Sequence, residues 1–175
     1  MVMKIYLIDR NKLMTIEWKK YFCDTQDVEI IHTDFESFMK IYDVECVVSP
    51  ANSYGIMTGG YDLAITEWFG PQLMKKVRDV IKNNYDGEQP VGTSLCVEIP
   101  NSDKKLIHTP TMRIPSRIED SNVVYRCMKS TLLLAKEKNI HSIVIPAFGG
   151  SCGGLDQDVI ASLMKKAYDD VINND

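Results

Sequence analysis

A strand, a loop and the start of a helix succeed one another in the stretch Val47-Val48-Ser49-Pro50-Ala51-Asn52-Ser53-Tyr54-Gly55-Ile56-Met57-Thr58-Gly59-Gly60-Tyr61-Asp62. A short apolar segment leads into Asn52, and a glycine-containing loop then leads to Asp62, which heads a segment with helical apolar periodicity. In an α/β protein, ligands sit where such a strand ends at the carboxyl edge of the sheet. The loop between residues 49 and 62 is therefore the first candidate ligand-binding element.

A second loop with the same placement lies near the C-terminus and reads Pro146-Ala147-Phe148-Gly149-Gly150-Ser151-Cys152-Gly153-Gly154-Leu155. It carries four glycines in six residues, between an apolar strand and an amphipathic helix. Because glycine permits positive φ and lacks Cβ, successive amides can line a concavity that accepts phosphate oxygens. The loop matches neither a P-loop nor a Rossmann fingerprint. A tight strand-to-helix connection without a ligand is its structural alternative.

Length and composition favour one globular domain over residues 1–175. The chain has 175 residues, of which 45% are hydrophobic and 25% are charged. No apolar run approaches a membrane span, and the N-terminus does not read as a signal peptide, so we expect a cytoplasmic protein. The net charge of −4 argues against general nucleic-acid binding. Five scattered cysteines without a Cys-x-x-Cys pair disfavour a disulfide framework or a zinc site.

The alternation of short β-rich runs with amphipathic segments predicts an α/β fold. The predicted strands are residues 4–8, 28–32, 45–49, 94–99, 106–108 and 142–147. About five helices lie between or after them, and the fourth and fifth strands are expected to form a hairpin. We therefore predict a three-layer α/β/α sandwich with a mixed, largely parallel central sheet of about six strands. Right-handed crossovers would bring both glycine-rich loops to one edge of this sheet.

Taken together, the two loops resemble those of the macrodomain family, whose members bind ADP-ribose. The family's first loop reads roughly Asn-Ala-Ala-Asn-Ser, then a glycine run and often Val-Asp, where this chain has Ser49-Pro50-Ala51-Asn52-Ser53 and Thr58-Gly59-Gly60-Tyr61-Asp62. Its second loop commonly reads Pro-Ala-Leu-Gly-Thr-Gly-Val-Gly-Gly, against residues 146–154 here. The resemblance runs from about Thr33 to the C-terminus. It implies a macrodomain-like sandwich whose partner is ADP-ribose or an ADP-ribosylated substrate, with no cofactor.

The resemblance also implies which residues contact the ligand. Asp34, beside Phe35, matches the acidic residue that accepts a hydrogen bond from the adenine amino group, and the adjacent amide reads the ring; helix capping is the alternative for Asp34. Asn52 matches the asparagine that contacts the distal ribose, with a buried turn-forming residue as the alternative. Gly59 and Gly60 would pass close to the diphosphate and the distal ribose. The other implied ligand-binding residues are Tyr61, Phe148, Gly149, Gly150, Ser151, Cys152 and Gly153. For Phe148, a wall of the distal ribose site, simple core packing is the alternative.

Asp62 decides between an enzyme and a binding module. In hydrolases of the family, an aspartate ten residues after the asparagine, as in this chain, helps to orient the water that attacks the anomeric carbon of the distal ribose. Metal-independent hydrolysis of this kind needs a carboxylate near that water and amides that stabilise developing charge. The resemblance therefore implies an ADP-ribosyl hydrolase with Asp62 and Asn52 as catalytic residues. A helix N-cap or a first-turn aspartate is the alternative for Asp62.

Three departures from the family pattern keep a second function open. Ser49 stands where many members carry asparagine, Tyr61 replaces a small valine, and Ser151 replaces a glycine of the second loop. A tyrosine at position 61 would narrow the distal end or stack on a ligand ring. The alternative to a hydrolase is therefore a non-catalytic module that binds ADP-ribose or another NAD-derived signal. A domain that has kept the fold and lost the pocket is a third possibility, and we expect a monomer throughout.

Overall fold

The computed structural model describes residues 2–173, in which strands and helices alternate along the chain. The elements are β1 (Lys4–Asp9), α1 (Lys12–Tyr21), β2 (Val28–His32), α2 (Phe35–Ile41), β3 (Cys46–Ser49), α3 (Gly60–Phe69), α4 (Pro71–Tyr85), β4 (Leu95–Glu98), β5 (Lys105–His108), α5 (Asn122–Glu137), β6 (Ser142–Ile145) and α6 (Gln157–Ile172). The strands form one sheet in the order β2-β1-β6-β3-β5-β4. All neighbouring pairs are parallel except β4 and β5, which are antiparallel. The predicted mixed, largely parallel sheet of six strands is confirmed.

The sheet is covered on both faces because alternate strand residues point to opposite sides. Ile5 and Leu7 of β1 belong to a core shared with α1, α5 and α6, in which Trp18 is fully buried. Ile8 of β1 and Val47 of β3 belong to a second core, shared with α2, α3 and α4. These two cores give the predicted three-layer α/β/α arrangement. They also determine that Ser49, two residues after Val47, faces the layer that contains α3.

The helices differ in number from the prediction because a glycine divides one apolar segment into two helices. Gly70 has φ +95, which an α-helix cannot contain, and Pro71 begins the next helix at a position where proline is well tolerated. Six helices therefore stand where about five were expected. The longest, α5 and α6, have 16 residues each. Within residues 2–173, no helix combines the length and the apolar character that crossing a bilayer requires.

The predicted hairpin is present as β4 and β5, and it forms one edge of the sheet. Leu95 lies opposite His108, and Glu98 lies opposite Lys105. The connection is closed by a hydrogen bond of 3.0 Å from the Ile99 amide to the Lys104 carbonyl oxygen. Because β4 lies beyond β5, the central parallel strands remain β1, β6 and β3, and the loops that follow them define the candidate site.

Candidate functional site

Both glycine-rich loops lie at the carboxyl-terminal edge of the sheet. β3 and β6 are parallel neighbours, with Cys46 opposite Ile143, so the loops that follow them leave the sheet side by side. β1 pairs with β6 on its other side and with β2 beyond it, both in parallel. Asp9, at the end of β1, and Asp34, just after β2, therefore reach the same edge. The predicted convergence of the two loops is observed.

Asn52, which is 7% exposed as a residue, organises the first loop through its side chain. Its Oδ1 accepts hydrogen bonds from the amides of Tyr54 and Ile56 at 3.1 and 3.3 Å. Its Nδ2 donates to the carbonyl oxygen of Ile56 at 2.9 Å. These are the hydrogen bonds of a turn-forming asparagine, one of the two roles open to it from sequence. Because a carboxamide has two N–H donors, one remains for another acceptor, and contact with a ribose stays a prediction.

The first loop ends in open space at the N-terminus of α3. A Cβ atom added to Gly59 or Gly60 would have no atom within 4 Å, and Gly60 has φ +53. Across the described chain, the amides of residues 58–62 donate no hydrogen bond, and the first helical bond runs from the Leu63 amide to Gly59 at 3.1 Å. Unpaired amides are normal in the first turn of a helix, where the helix dipole favours negative charge. This end of the loop is therefore suited to an anionic group.

Asp62, in the first turn of α3, is joined to the end of β3 by a side-chain hydrogen bond. The hydroxyl of Ser49, which is fully buried, donates to Oδ1 of Asp62 at 2.7 Å. Asp62 as a whole is half-buried. Burial raises the pKa of its carboxyl group from 3.8 to about 7, and the hydrogen bond from Ser49 acts in the opposite direction. Near neutral pH this group exists in both protonation states, as a proton-transfer residue requires.

Tyr61 contacts Phe35 and lies within electrostatic range of two carboxyl groups. The ring centroids of Tyr61 and Phe35 are 5.4 Å apart in an edge-on arrangement. The Tyr61 hydroxyl is buried and has no hydrogen-bond partner among the residues that the structure describes. Burial, with the charges of Asp62 and Asp9, raises the pKa of this phenol well above its usual value. Burial also raises the pKa of Asp9. The fold thus gathers these four residues beside the open end of the first loop.

Asp34 caps α2. Its Oδ1 accepts a hydrogen bond from the Ser37 amide at 2.8 Å, and its Oδ2 accepts one from the Ser37 hydroxyl at 3.0 Å. These hydrogen bonds lower the pKa of the exposed Asp34 carboxyl. The adjacent Phe35 is 1% exposed as a whole residue and packs in the core, so contact of its amide with a ligand stays a prediction. A contact between Asp34 and adenine stays a prediction beside the observed cap.

The second loop presents unpaired amides around two structurally required glycines. Gly149 has φ +87, and a Cβ atom on Gly153 would lie 2.5 Å from the carbonyl oxygen of Gly149. Gly150, Ser151 and Cys152 between them are exposed. None of the amides of residues 150–153 donates a hydrogen bond to a residue in the described range. This arrangement has the donors that an anion-binding concavity needs.

Phe148 lies beneath the second loop and not on its surface. Its side chain is fully buried in the core formed by the sheet with α1, α5 and α6. Of the two roles considered from sequence, the observed position is that of a packing residue, and a ribose wall at this position stays a prediction. Cys152, by contrast, is exposed, and its Sγ lies 3.5 Å from Sδ of Met112.

The segment between β5 and α5, residues 109–121, connects the two loops and is called here the bridging segment. The Ser53 amide of the first loop donates to the carbonyl oxygen of Met112 at 3.1 Å. The Ile118 amide donates to the carbonyl oxygen of Gly153 in the second loop at 2.9 Å. The bridging segment thus forms a third wall, which holds the positions of both loops relative to each other.

His108, at the end of β5, is a buried structural residue. Its Nδ1 lies 2.6 Å from Oε1 of Gln89, and Nε2 of Gln89 donates to the His108 carbonyl oxygen at 3.1 Å. Burial lowers the pKa of the ring to about 3, so the imidazole is neutral at physiological pH and Nδ1 carries the proton. Its Nε2 is buried without a partner in the described part of the chain. His108 therefore has a packing role in the core, with one orphaned nitrogen.

Three contributors to this edge were missed at the sequence level. Asp9 and Ile118 lie far from both loops in sequence, and the pairing of Ser49 with Asp62 requires the folded position of α3. A signal existed only for Ser49, because the period of two along a strand places its side chain on the same face as Val47. In the sequence, Ser49 departs from the family pattern but gives no indication of its partner.

Two clefts lie apart from the glycines of either loop. One, of about 630 Å³, is lined by Leu13, Glu17, Lys20, Tyr21, Asp156, Gln157 and Asp158. The other, of about 480 Å³, is lined by Tyr54, Pro71, Met74, Lys75, Arg78, Asp79, Lys82, Asp86 and Gly87. Neither includes Asn52 or Asp62. A search of residues 2–173 finds no group of three or more histidine, cysteine, aspartate or glutamate side chains that could hold a metal ion.

Known proteins are similar to this chain in sequence or in fold. A protein of Aquifex aeolicus is 28% identical over 123 residues, which is 70% of this chain and 71% of that protein. The Oceanobacillus iheyensis macrodomain with ADP has a TM-score of 0.66 and 22% identity, covering 75% of this chain and 71% of that one. Thermosipho africanus DarTG in complex with ADP-ribose has a TM-score of 0.61 and 18% identity, covering 71% of this chain and 35% of that one.

The Macro domain family matches residues 48–164. The matched range begins at the end of β3 and includes the first loop, the bridging segment, the second loop and half of α6. It therefore covers the elements that form the carboxyl-terminal edge around Asn52, Asp62 and Gly153. This chain belongs to the Macro domain family.

Proposed function

We propose that this protein binds ADP-ribose along its two glycine-rich loops and hydrolyses a bond at the distal ribose of ADP-ribose conjugates. The observation that carries the proposal is the position of the Asp62 carboxyl group, two residues after Gly60 at the open end of the first loop, where burial raises its pKa to about 7. A half-buried carboxyl that titrates near neutral pH next to unpaired amides is typical of a catalytic site.

The binding part of the proposal uses the backbone more than the side chains. The diphosphate lies between the unpaired amides of residues 58–62 and those of residues 150–153, which supply donors without basic side chains. The adenine lies toward Asp34 and the backbone of Phe35, on the side of β2. The distal ribose then lies near Asn52, Tyr61 and Asp62. This placement follows the loops and does not use either of the two clefts.

In the proposed reaction, Asp62 is the base that accepts a proton from the attacking water. The ionised carboxyl group accepts a proton from a water molecule, and the water oxygen forms a bond to the anomeric carbon as the bond to the attached group breaks with its electron pair. The proton on Asp62 returns to solvent, and the leaving group takes up a proton. Amides near the diphosphate and ribose stabilise the charge that develops. No metal is needed for this scheme, because the carboxylate and the substrate's own phosphate orient the water.

The experiment compares wild type with Asp62→Ala. Calorimetric titration with ADP-ribose measures binding, and release of ADP-ribose from mono-ADP-ribosylated protein, ADP-ribose 1″-phosphate and O-acetyl-ADP-ribose measures turnover. We expect Asp62→Ala to bind ADP-ribose and to lose product release by about 100-fold or more, the usual scale for a general base. Glu67→Ala, which removes an exposed carboxyl group from the same helix, is the control. Unchanged turnover in Asp62→Ala would remove Asp62 from the mechanism.

The second candidate function is a non-catalytic module that binds ADP-ribose or another NAD-derived signal. Two observations favour it: the Asn52 carboxamide already makes three hydrogen bonds inside its own loop, and Tyr61 fills space beside Asp62. This function predicts tight ADP-ribose binding without product from any of the three conjugates. The same titration and product assays therefore distinguish the two functions.

A further inference from the structure

The two carboxyl oxygens of Asp62 have different surroundings. Oδ1 accepts the 2.7 Å hydrogen bond from the Ser49 hydroxyl. Oδ2 accepts no hydrogen bond from any described residue, yet it is not one of the buried polar atoms without a partner, which are Trp18 Nε1, Tyr61 Oη and His108 Nε2. If Oδ2 were both unpaired and inaccessible to solvent, it would belong to that set, so it retains contact with solvent. Oδ1, the inward oxygen, is therefore held from inside the protein, and Oδ2, the outward oxygen, retains some contact with solvent.

The position of Ser49 leaves its hydroxyl group little choice of partner. Ser49 is the last residue of β3, lies opposite His108 in the sheet, and is 0% exposed. Water therefore cannot compete for its proton. The strand period places its side chain toward the α2–α4 layer, where the first turn of α3 carries Asp62. A donor fixed on a central strand thus meets a carboxyl group on the adjoining helix.

An aspartate without such a contact rotates broadly about its terminal torsion. One hydrogen bond to one oxygen removes this freedom, because the inward oxygen must stay within reach of the donor. The outward oxygen then keeps a defined direction. General base catalysis requires this, since the base must lie within hydrogen-bond reach of the proton that it abstracts.

We propose that Ser49 is a positioning residue, whose hydroxyl holds the Asp62 carboxyl with Oδ1 inward and Oδ2 turned toward the bound substrate. The catalytic consequence rests on the proposed hydrolase function, but the pairing of Ser49 with Asp62 does not. The position at which this chain departs from the asparagine of many macrodomains thus has a specific partner in the site.

The hydrogen bond also stabilises the carboxylate over the carboxylic acid, because the hydroxyl donates to a negatively charged oxygen. Without the hydrogen bond from Ser49, the rise in the Asp62 pKa that burial causes is no longer offset by that hydroxyl group. Ser49→Ala should therefore move the titration midpoint of Asp62 upward by about one pH unit, the scale of one hydrogen bond to a charged group. At pH 7 the fraction of ionised Asp62 would then fall about fivefold, and turnover would fall at least as much.

The test measures the titration midpoint of Asp62 directly and the rate of hydrolysis separately. The Asp62 carboxyl resonance is followed by ¹³C NMR from pH 4 to 9 in wild type, Ser49→Ala and Ser49→Cys, with Asp62→Asn identifying the signal. Ser53→Ala removes another buried serine hydroxyl of the same loop, without removing the hydrogen bond to Asp62, and is the control. We expect a raised midpoint in Ser49→Ala, a smaller rise in Ser49→Cys, and the wild-type midpoint in Ser53→Ala. If Ser49→Ala does not fold, Ser49→Cys, which keeps a weaker hydrogen-bond donor at the same position, decides.

The pH dependence of kcat is the second measurement. Its acidic limb should move upward in Ser49→Ala by the same amount as the NMR midpoint, while affinity for ADP-ribose stays near that of wild type. A midpoint and a pH profile that are both unchanged would overturn the assignment of Ser49 and leave the hydrolase function intact. Absence of turnover in wild type would instead reject the hydrolase function, and the NMR midpoints would still decide whether Ser49 controls Asp62.

Discussion

Replacing Asp62 by asparagine tests whether the carboxyl group is as desolvated as the structure indicates. Asparagine keeps an oxygen that can accept the Ser49 hydrogen bond, and it cannot titrate. In the wild type, burial raises the pKa of Asp62 from 3.8 to about 7, so the folded state binds this proton more tightly than the unfolded state. The resulting stability is fully present below about pH 4 and is lost as the pH rises through about 7. Asp62→Asn should escape this loss.

The two pKa values set the size of the effect. Over the whole pH range, the difference between them corresponds to about 4 kcal/mol of folding free energy. Between pH 5 and pH 8 it corresponds to about 2.6 kcal/mol, which is an upper limit because Asp62 is half-buried. The assay is urea unfolding at pH 5, 6, 7 and 8 for wild type, Asp62→Asn and the charge control Glu67→Gln. At each step from pH 5 to pH 8, the free energy of unfolding of Asp62→Asn should rise relative to that of wild type. Parallel curves for the two proteins would refute the desolvation of Asp62 and the argument that it serves as a base near neutral pH.

Four further substitutions test other parts of the edge. Gly59→Ala should change the free energy of unfolding by no more than about 0.5 kcal/mol relative to wild type, since no atom lies near the added methyl group. The same variant should weaken ADP-ribose binding in calorimetry. Gly153→Ala should instead lower the melting temperature, because its Cβ would lie 2.5 Å from the carbonyl oxygen of Gly149. Asp34→Ala should cost about 1 kcal/mol at neutral pH through loss of the helix cap, and the urea-unfolding difference should shrink as the pH falls through the lowered pKa of Asp34, where the wild-type carboxylate takes up its proton. Tyr61→Phe removes a buried hydroxyl group without a partner, and should raise the free energy of unfolding in urea by about 1 kcal/mol.

The parts of the fold that follow from local periodicity could be predicted from the sequence. The strand predicted at residues 142–147 is present, and it ends at Ile145 because Pro146 begins the loop. The apolar segment around Gly70 shows the limit of periodicity, which does not by itself divide the segment, although Gly70-Pro71 punctuates it in the sequence. The positive φ of Gly70 separates the two helices, and a glycine permits that φ without requiring it.

The site itself was predictable only in outline. Both loops could be placed at one edge, because parallel strands with right-handed crossovers leave the sheet in the same direction. The hydrogen bond between Ser49 and Asp62 depends on how α3 lies against β3, which no local pattern contains. Phe148 illustrates the same limit: an aromatic residue after a strand packs in the core or lines a pocket according to where the chain turns.

The last strand determines when this protein becomes able to bind a ligand. β1 and β3 each pair with β6 and not with each other, so residues 142–145 join a β2-β1 portion to a β3-β5-β4 portion. A nascent chain that has not reached residue 155 lacks the second loop and, before residue 142, the strand that unites the sheet. Long-range pairing of this kind forms late, because chain entropy opposes it until the contacts can form together. Ligand binding should therefore report completed folding, and no early folding intermediate should have measurable affinity.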